Sequence, residues 1–567
     1  MSLLIRFLKL NKSCMKKVVL VLVFLIVLFS CKQDKVKNEN IVLWQPYNDS
    51  LEVVANKDHE VKRMQYKLIQ SKVLDKNEVF LPLYNEVSKV TEADYLKWKP
   101  FILEQTIPTI QSHIKAGDLT YENLVLFYLY RIYKYELNNE TTLNTVIALN
   151  KNVLEEARAL DRKVKTSPSD KHHLIYGMPI LLKDNIDTEG MNTTAGAIAL
   201  QKNKTDNAFI VNALKRNGAL ILGKVNLSEW AYFLCSGCPV GYSAVGGQTL
   251  NPYGRKIFET GGSSAGSGTS VAANYAVAAV GTETSGSILS PSSQNSVVGL
   301  KPTIGLLSRS GIVPISSTLD TPGPMTKNVI DNAILLSAMT GRDATDEKSV
   351  SINKDYISVV LENASLEGKR FGAFATLMES DSIYAKTIAK IKEQGAVVIE
   401  FTPEQLSLPG FLSILNIDMK NDLPVYINTN VKDKDAVKIT SIADVVEFNK
   451  LDSTTRIPYG QALFEGILTD TTSAEALKII IQNLEVSSRS YFDTVLDTNN
   501  LDAILSINNY HAGYAAVAKY PALTVPMGYK NSGEPINLTF IAKQFQEDKL
   551  LQLGAAFEKA TKIRKMP

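Results

Sequence analysis

The chain has 567 residues, 45% apolar and 21% charged, which excludes a disordered polymer and leaves room for one large α/β enzyme. Its formal charge of +3 is uneven: Arg6, Lys9, Lys12, Lys16 and Lys17 fall in the first 30 residues, leaving 56 basic residues against 58 acidic ones. That balance argues against the broad cationic face of a nucleic-acid binder, and no repeat of fixed period is present.

The N-terminus reads as an export signal. Met15-Lys16-Lys17 precedes twelve uninterrupted apolar residues, Val18 to Phe29, too few to cross a bilayer comfortably but suited to a signal h-region. Met15 leaves a more compact basic start than Met1. Leu28-Phe29-Ser30-Cys31 resembles a bacterial lipobox, with Phe29 bulkier than usual there. Residues 1–30 are therefore expected to be a lipoprotein signal peptide, and Cys31 the site of lipid attachment to a membrane in the cell envelope. Residues 31–97 follow as a polar tether and an N-terminal extension packed on the enzyme, helical around residues 64–74.

From residue 98 the signals become regular. Gly117-Asp118-Leu119 breaks the chain, and Thr120 can cap a helix carrying Val125, Tyr128, Leu129 and Ile132 at core-facing spacing. Between residues 174 and 312, short apolar runs (180–182, 219–222, 277–280) alternate with turns and small-residue segments, an α/β pattern. The Ala- and Ser-rich stretch 267–279 suits a helix laid closely beside a sheet, with Gly266 and Gly268 permitting the approach. Residues 341–500 show little identifiable chemistry and are natural candidates for shaping a pocket. The runs 502–506 and 520–526 are expected to rejoin the main sheet.

The chemistry lies in three short segments. Pro179-Ile180-Leu181-Leu182 delivers Lys183 into Asp184-Asn185; Gly261-Gly262-Ser263-Ser264-Ala265-Gly266-Ser267 is a serine turn; and Ser287 stands 24 positions beyond Ser263 in Gly281-Thr282-Glu283-Thr284-Ser285-Gly286-Ser287. Amide cleavage needs a nucleophile, an oxyanion site and a proton for the leaving amine. Ser287 can attack, while the backbone N–H groups of Thr284, Ser285, Gly286 and Ser287 converge on the oxyanion. A buried, neutral Lys183 can take the proton through Ser263.

On these segments, with Gly177-Met178 preceding Pro179 and Ile186 following Asn185, the chain is similar to the amidase signature family over roughly residues 98–567. The resemblance implies an α/β fold with a central mixed β-sheet flanked on both sides by helices. It implies Lys183 as base, Ser263 as relay after a cis Gly262–Ser263 peptide, Ser287 as acyl-forming nucleophile, and no cofactor. Where relatives often carry Asp-x-Gly-Gly-Ser-Ile-Arg, this chain has Glu283-Thr284-Ser285-Gly286-Ser287-Ile288-Leu289, so a guanidinium support does not transfer. The Gly-Thr-Glu-Thr-x-Gly-Ser-Ile run followed by Pro-Ser-Ser is similar to a branch containing peptide amidases, which makes peptide C-terminal amides or other small amides the expected substrates.

Two other readings stand beside this one. Gly262-Ser263-Ser264-Ala265-Gly266 also satisfies G-x-S-x-G, which would make Ser264 the nucleophile of an α/β-hydrolase-type esterase served by His511. The second is an amidase-fold lipoprotein that binds without turnover. Asp184 is expected to support the site without transferring protons. Cys235-Ser236-Gly237-Cys238 can form a disulfide or two packed thiols at the pocket rim, since no further ligands for a metal lie nearby.

Overall fold

A computed structural model describes residues 41–567 except 168 and 363; the signal segment and Cys31 lie outside the described residues. Eleven strands form one mixed sheet: β1 (Val146–Leu149), β2 (Pro179–Lys183), β3 (Leu220–Val225), β4 (Ala278–Glu283), β5 (Val298–Lys301), β6 (Thr321–Thr326), β7 (Arg370–Phe374), β8 (Val397–Phe401), β9 (Ala503–Ile507), β10 (Ala522–Tyr529) and β11 (Pro535–Ile541). Their spatial order is β1-β3-β2-β4-β6-β5-β10-β11-β9-β7-β8. β2 runs parallel to both β3 and β4, whereas β4 to β6 and β10 to β11 are antiparallel. The last runs of the sequence do rejoin this sheet, as β9 and β10.

Every residue of β2, β3 and β4 is buried, as expected for strands covered on both faces. The helix Tyr121–Glu136 sends its apolar face into the same core. Thr120 Oγ1 caps it by accepting from the Asn123 N–H at 3.0 Å, and Leu124, Val125, Tyr128, Leu129 and Ile132 are all fully buried. Such a cap contributes about 1 kcal/mol.

Two expectations about local structure are corrected. Residues 64–74 are not helical beyond a single 3-10 turn at Lys62–Met64. Long-range bonds hold the segment open instead: the Ile69 and Gln70 N–H groups donate to Asp49 Oδ2, and Ile69 C=O accepts from the Gln248 N–H. The small-residue helix covers only Ala265–Ala272, because the chain then turns and enters β4 at Ala278. Its close approach is as expected. A Cβ on Gly266 would sit 2.3 Å from the Asn226 carbonyl oxygen, which accepts the Gly266 N–H at 3.0 Å.

Residues 411–498 build a second apolar cluster from the helices Phe411–Asn430, Ile442–Lys450, Ala462–Thr469 and Ala474–Thr498. It joins Trp230, Phe233, Val313 and Ile315 from the loops beyond the sheet, placing a helical wall beside the C-terminal ends of β2 and β4.

Candidate active site

Because β2 and β4 are adjacent and parallel, their C-terminal ends present Lys183 and the 284–287 turn at the same edge. Lys183 is fully buried; its Nζ lies 2.7 Å from Ser263 Oγ, 2.7 Å from Thr282 Oγ1 and 3.1 Å from the Thr282 carbonyl oxygen. As a neutral amine it can donate to the two Thr282 oxygens and turn its lone pair to the Ser263 hydroxyl. Burial lowers the Lys183 pKa to about 7, against a smaller upward pull from Asp320 and Glu283.

The Ser263 turn meets the Ser287 turn directly. Ser263 N–H donates to Ser287 Oγ at 3.3 Å, and Ser264 N–H donates to the Ser287 carbonyl at 3.2 Å. Ser263 is held from the other side by Ser228, whose N–H reaches the Ser263 carbonyl and whose hydroxyl reaches that of Gly262, both at 3.1 Å. The expected cis Gly262–Ser263 bond is absent: no cis peptide occurs among the described residues. Gly261 and Gly262 make the sharp turn with left-handed φ values of +72° and +46°, a conformation open to glycine, so the peptide remains trans.

The oxyanion nest also differs from expectation at one position. Gly286 N–H donates to Glu283 Oε1 at 2.7 Å, and Glu283 Oε2 accepts the Ile288 and Leu289 N–H groups at 2.7 and 3.0 Å. Glu283 thus closes the turn around Ser287 from below, and the Gly286 N–H points at this carboxylate instead of at a substrate. Sequence reasoning treated Glu283 only as a departure from a pattern. The available signal was a carboxylate four residues before a serine on a glycine turn, where orphan N–H groups need an acceptor.

The remaining residues separate by their partners. Ser264 is fully buried, its Oγ donating to the Thr282 carbonyl at 3.0 Å and accepting the Thr282 N–H at 3.2 Å. His511 is bonded to Ser506 and stacked on Phe374, so Ser264 and His511 do not come together. Asp184 pairs with buried Lys224 at 3.3 Å and accepts from Thr194, a structural position. Cys235 and Cys238 form a disulfide, but they line a separate small cavity with Tyr242 and Tyr459. Among the described residues, no group of three or more His, Cys, Asp or Glu side chains is placed to hold a metal.

Thr282 and Thr284 form part of the wall of a cavity of about 480 Å³, together with Asn185, Asp320, Arg309 and Asp422. Asp422 comes from the helix Phe411–Asn430, a contribution that sequence reasoning left unassigned within residues 341–500.

A family model described as Amidase matches residues 123–506. The chain is 36% identical over 481 residues to an Arabidopsis thaliana protein described as a probable amidase, covering 82% of this chain and 92% of that one. Among solved structures, it is similar to an amidase family protein from Bacillus anthracis, with TM-score 0.82 and 36% identity over 88% of this chain and 99% of the other. It is also similar to the native peptide amidase of Stenotrophomonas maltophilia, with TM-score 0.76 and 35% identity over 82% and 98% of the two chains.

Proposed function

Since the chain belongs to the amidase signature family, whose members hydrolyse amides, we propose that it cleaves a carboxamide C–N bond through an acyl-enzyme on Ser287. The observation that carries this reading is that Ser263 touches both neighbours, its Oγ on Lys183 Nζ and its backbone N–H on Ser287 Oγ. Ser287 Oγ attacks the carbonyl carbon as its proton passes by way of Ser263 to neutral Lys183. The N–H groups of Thr284, Ser285 and Ser287 are the candidates to receive the developing oxyanion, each such donor being worth about 3 kcal/mol. The tetrahedral adduct expels ammonia or an amine, which takes back the proton. Water then attacks the ester by the same route, releasing the acid and restoring Ser287.

Peptide C-terminal amides are the preferred substrate class in this proposal, supported by the likeness to the Stenotrophomonas maltophilia peptide amidase. Ammonia release from a panel of peptide and simple amides tests it, alongside labelling with a fluorophosphonate. Wild type is expected to turn over and to label, and Ser287→Ala to do neither. No turnover across the panel and no label would instead support a binding protein.

The proposal extends to location: export, and anchoring through lipid on Cys31. The motif Leu28-Phe29-Ser30-Cys31 supports this, and a Cys235–Cys238 disulfide fits an oxidising compartment. Metabolic labelling with a radioactive fatty acid tests it, with incorporation lost in Cys31→Ala; equal incorporation would refute it.

A further inference from the structure

The 480 Å³ cavity shares Thr282 and Thr284 with the candidate active site and falls within the size range of small-molecule pockets. Its charged groups differ in how far the protein already occupies them. Arg309 is committed: Nε and Nη2 grip Asp346, and Nη1 donates to the Ser317 carbonyl. Lys348 Nζ donates to that same carbonyl. Asp320 is committed as well, taking the Thr284 hydroxyl at 2.5 Å on one oxygen and the Ile315 and Ser316 N–H groups at 2.8 and 2.9 Å on the other.

Asp422 is different. Its Oδ2 accepts the Ser317 N–H at 2.7 Å, and no lysine, arginine or histidine among the described residues forms an ion pair with it, although Arg309 feels its charge through space. Burial pushes its pKa up to about 6, and the negative charges of Asp418 and Asp320 push in the same direction. The helix bearing Asp422 also lines the cavity with Val425, Tyr426, Thr429 and Asn430, at the spacing of one helical face. Val425 is 64% exposed, an apolar surface one turn from the carboxylate. An acid without a cation and an apolar step beside it match a donor-bearing cation on a short aliphatic stem.

We propose that Asp422 is a specificity-determining residue that favours amides carrying an ammonium or guanidinium group, seated in this cavity beside the Ser287 turn. This rests on the amidase reading and deepens it. The group contacts the substrate's body and takes no part in bond breaking, so its effect belongs in KM for cationic substrates.

The test compares N-acetyl-lysinamide with N-acetyl-norleucinamide, which share a scissile carboxamide and a linear stem and differ in charge. In wild type kcat/KM is expected to favour lysinamide. Asp422→Asn should lower the lysinamide-to-norleucinamide ratio at least tenfold, through KM, and Asp422→Lys should invert it and favour N-acetyl-isoglutamine, whose side chain is anionic. Equal losses for both substrates in Asp422→Asn would reduce the residue to a structural role and overturn the inference. So would a wild-type ratio near one, or no turnover of lysinamide while other amides in the panel are cleaved. Failure of the amidase reading itself would show differently, as no turnover of any amide and no fluorophosphonate label on Ser287.

Discussion

Lys183 can act as a base only while neutral, and its surroundings set the pH at which that holds. A lysine held near 7 instead of its ordinary 10.5 represents roughly 5 kcal/mol of preference for the neutral amine. Roughly nine in ten molecules then carry the neutral base at pH 8 and one in ten at pH 6, so kcat/KM should climb about tenfold over that interval. The assay is ammonia release from N-acetyl-phenylalaninamide, which does not titrate there, between pH 5 and 9 at constant ionic strength. Log kcat/KM should rise with unit slope and level off above about pH 7. Asp187, held near 7, and Glu229, held near 8, are other buried groups that titrate in this window, so the limb must be assigned. Glu283→Gln assigns it: the Glu283 charge favours the Lys183 ammonium, and its removal should move the limb to lower pH. The same change weakens the clamp on the Gly286, Ile288 and Leu289 N–H groups, so kcat should fall as well, by about 10- to 100-fold. Stability follows the same group. Between the folded value near 7 and the unfolded value near 10.5 the unfolded chain binds the extra proton, so stability rises with pH across that window and is lost as pH falls towards 7. Other buried lysines lowered to about 8, Lys76, Lys301 and Lys327, add to the slope, so Lys183→Met should reduce it by the contribution of one proton and not abolish it. A wild-type limb centred near 10, or a Glu283→Gln profile that keeps the wild-type midpoint, would refute the assignment of Lys183 as a neutral base.

Three substitutions probe the supports. Gly262→Ala forces a left-handed φ of +46° on alanine and sets its Cβ 2.6 Å from Pro291 Cδ, so the urea midpoint should drop by an equivalent of about 1–3 kcal/mol and turnover should fall further than stability explains. Asp184→Ala leaves the Lys224 ammonium buried with only the Ile186 carbonyl and Thr193 hydroxyl, and should cost about 3–5 kcal/mol by chemical denaturation; unchanged stability would show that the pair is not structural. Ser264→Ala strips a hydroxyl that serves both backbone polar groups of Thr282, costing about 1–3 kcal/mol, yet should retain fluorophosphonate labelling of Ser287; loss of the label with the fold intact would return Ser264 to the role of nucleophile.

What could be read in advance and what could not divide along a physical line. Lys183, Ser263 and Ser287 were legible because each stands in a short run of turn glycines or strand residues whose conformation is set locally. Their assembly depends on something no local run encodes. Lys183 and the Ser287 turn reach the same edge because β2 and β4, separated by the whole of β3 and the disulfide loop in the sequence, lie side by side and parallel. Residues 64–74 misled for the complementary reason, since a segment with helical composition is held open by Asp49 and Gln248, partners far away in the chain. The expected cis peptide came from resemblance alone, and two left-handed glycines provide the turn without it. Glu283 and Asp422 were missed in different ways. Glu283 bonds to N–H groups only three to six residues away and was within reach of a question about where the turn's orphan donors go. Asp422 was not: its helix reaches the site only across the second apolar cluster, so its place beside Thr284 is a property of the tertiary packing. The groups proposed to break the bond therefore lie in local motifs, whereas the group proposed to face the body of a substrate comes from an element whose own sequence carries no mark of the site.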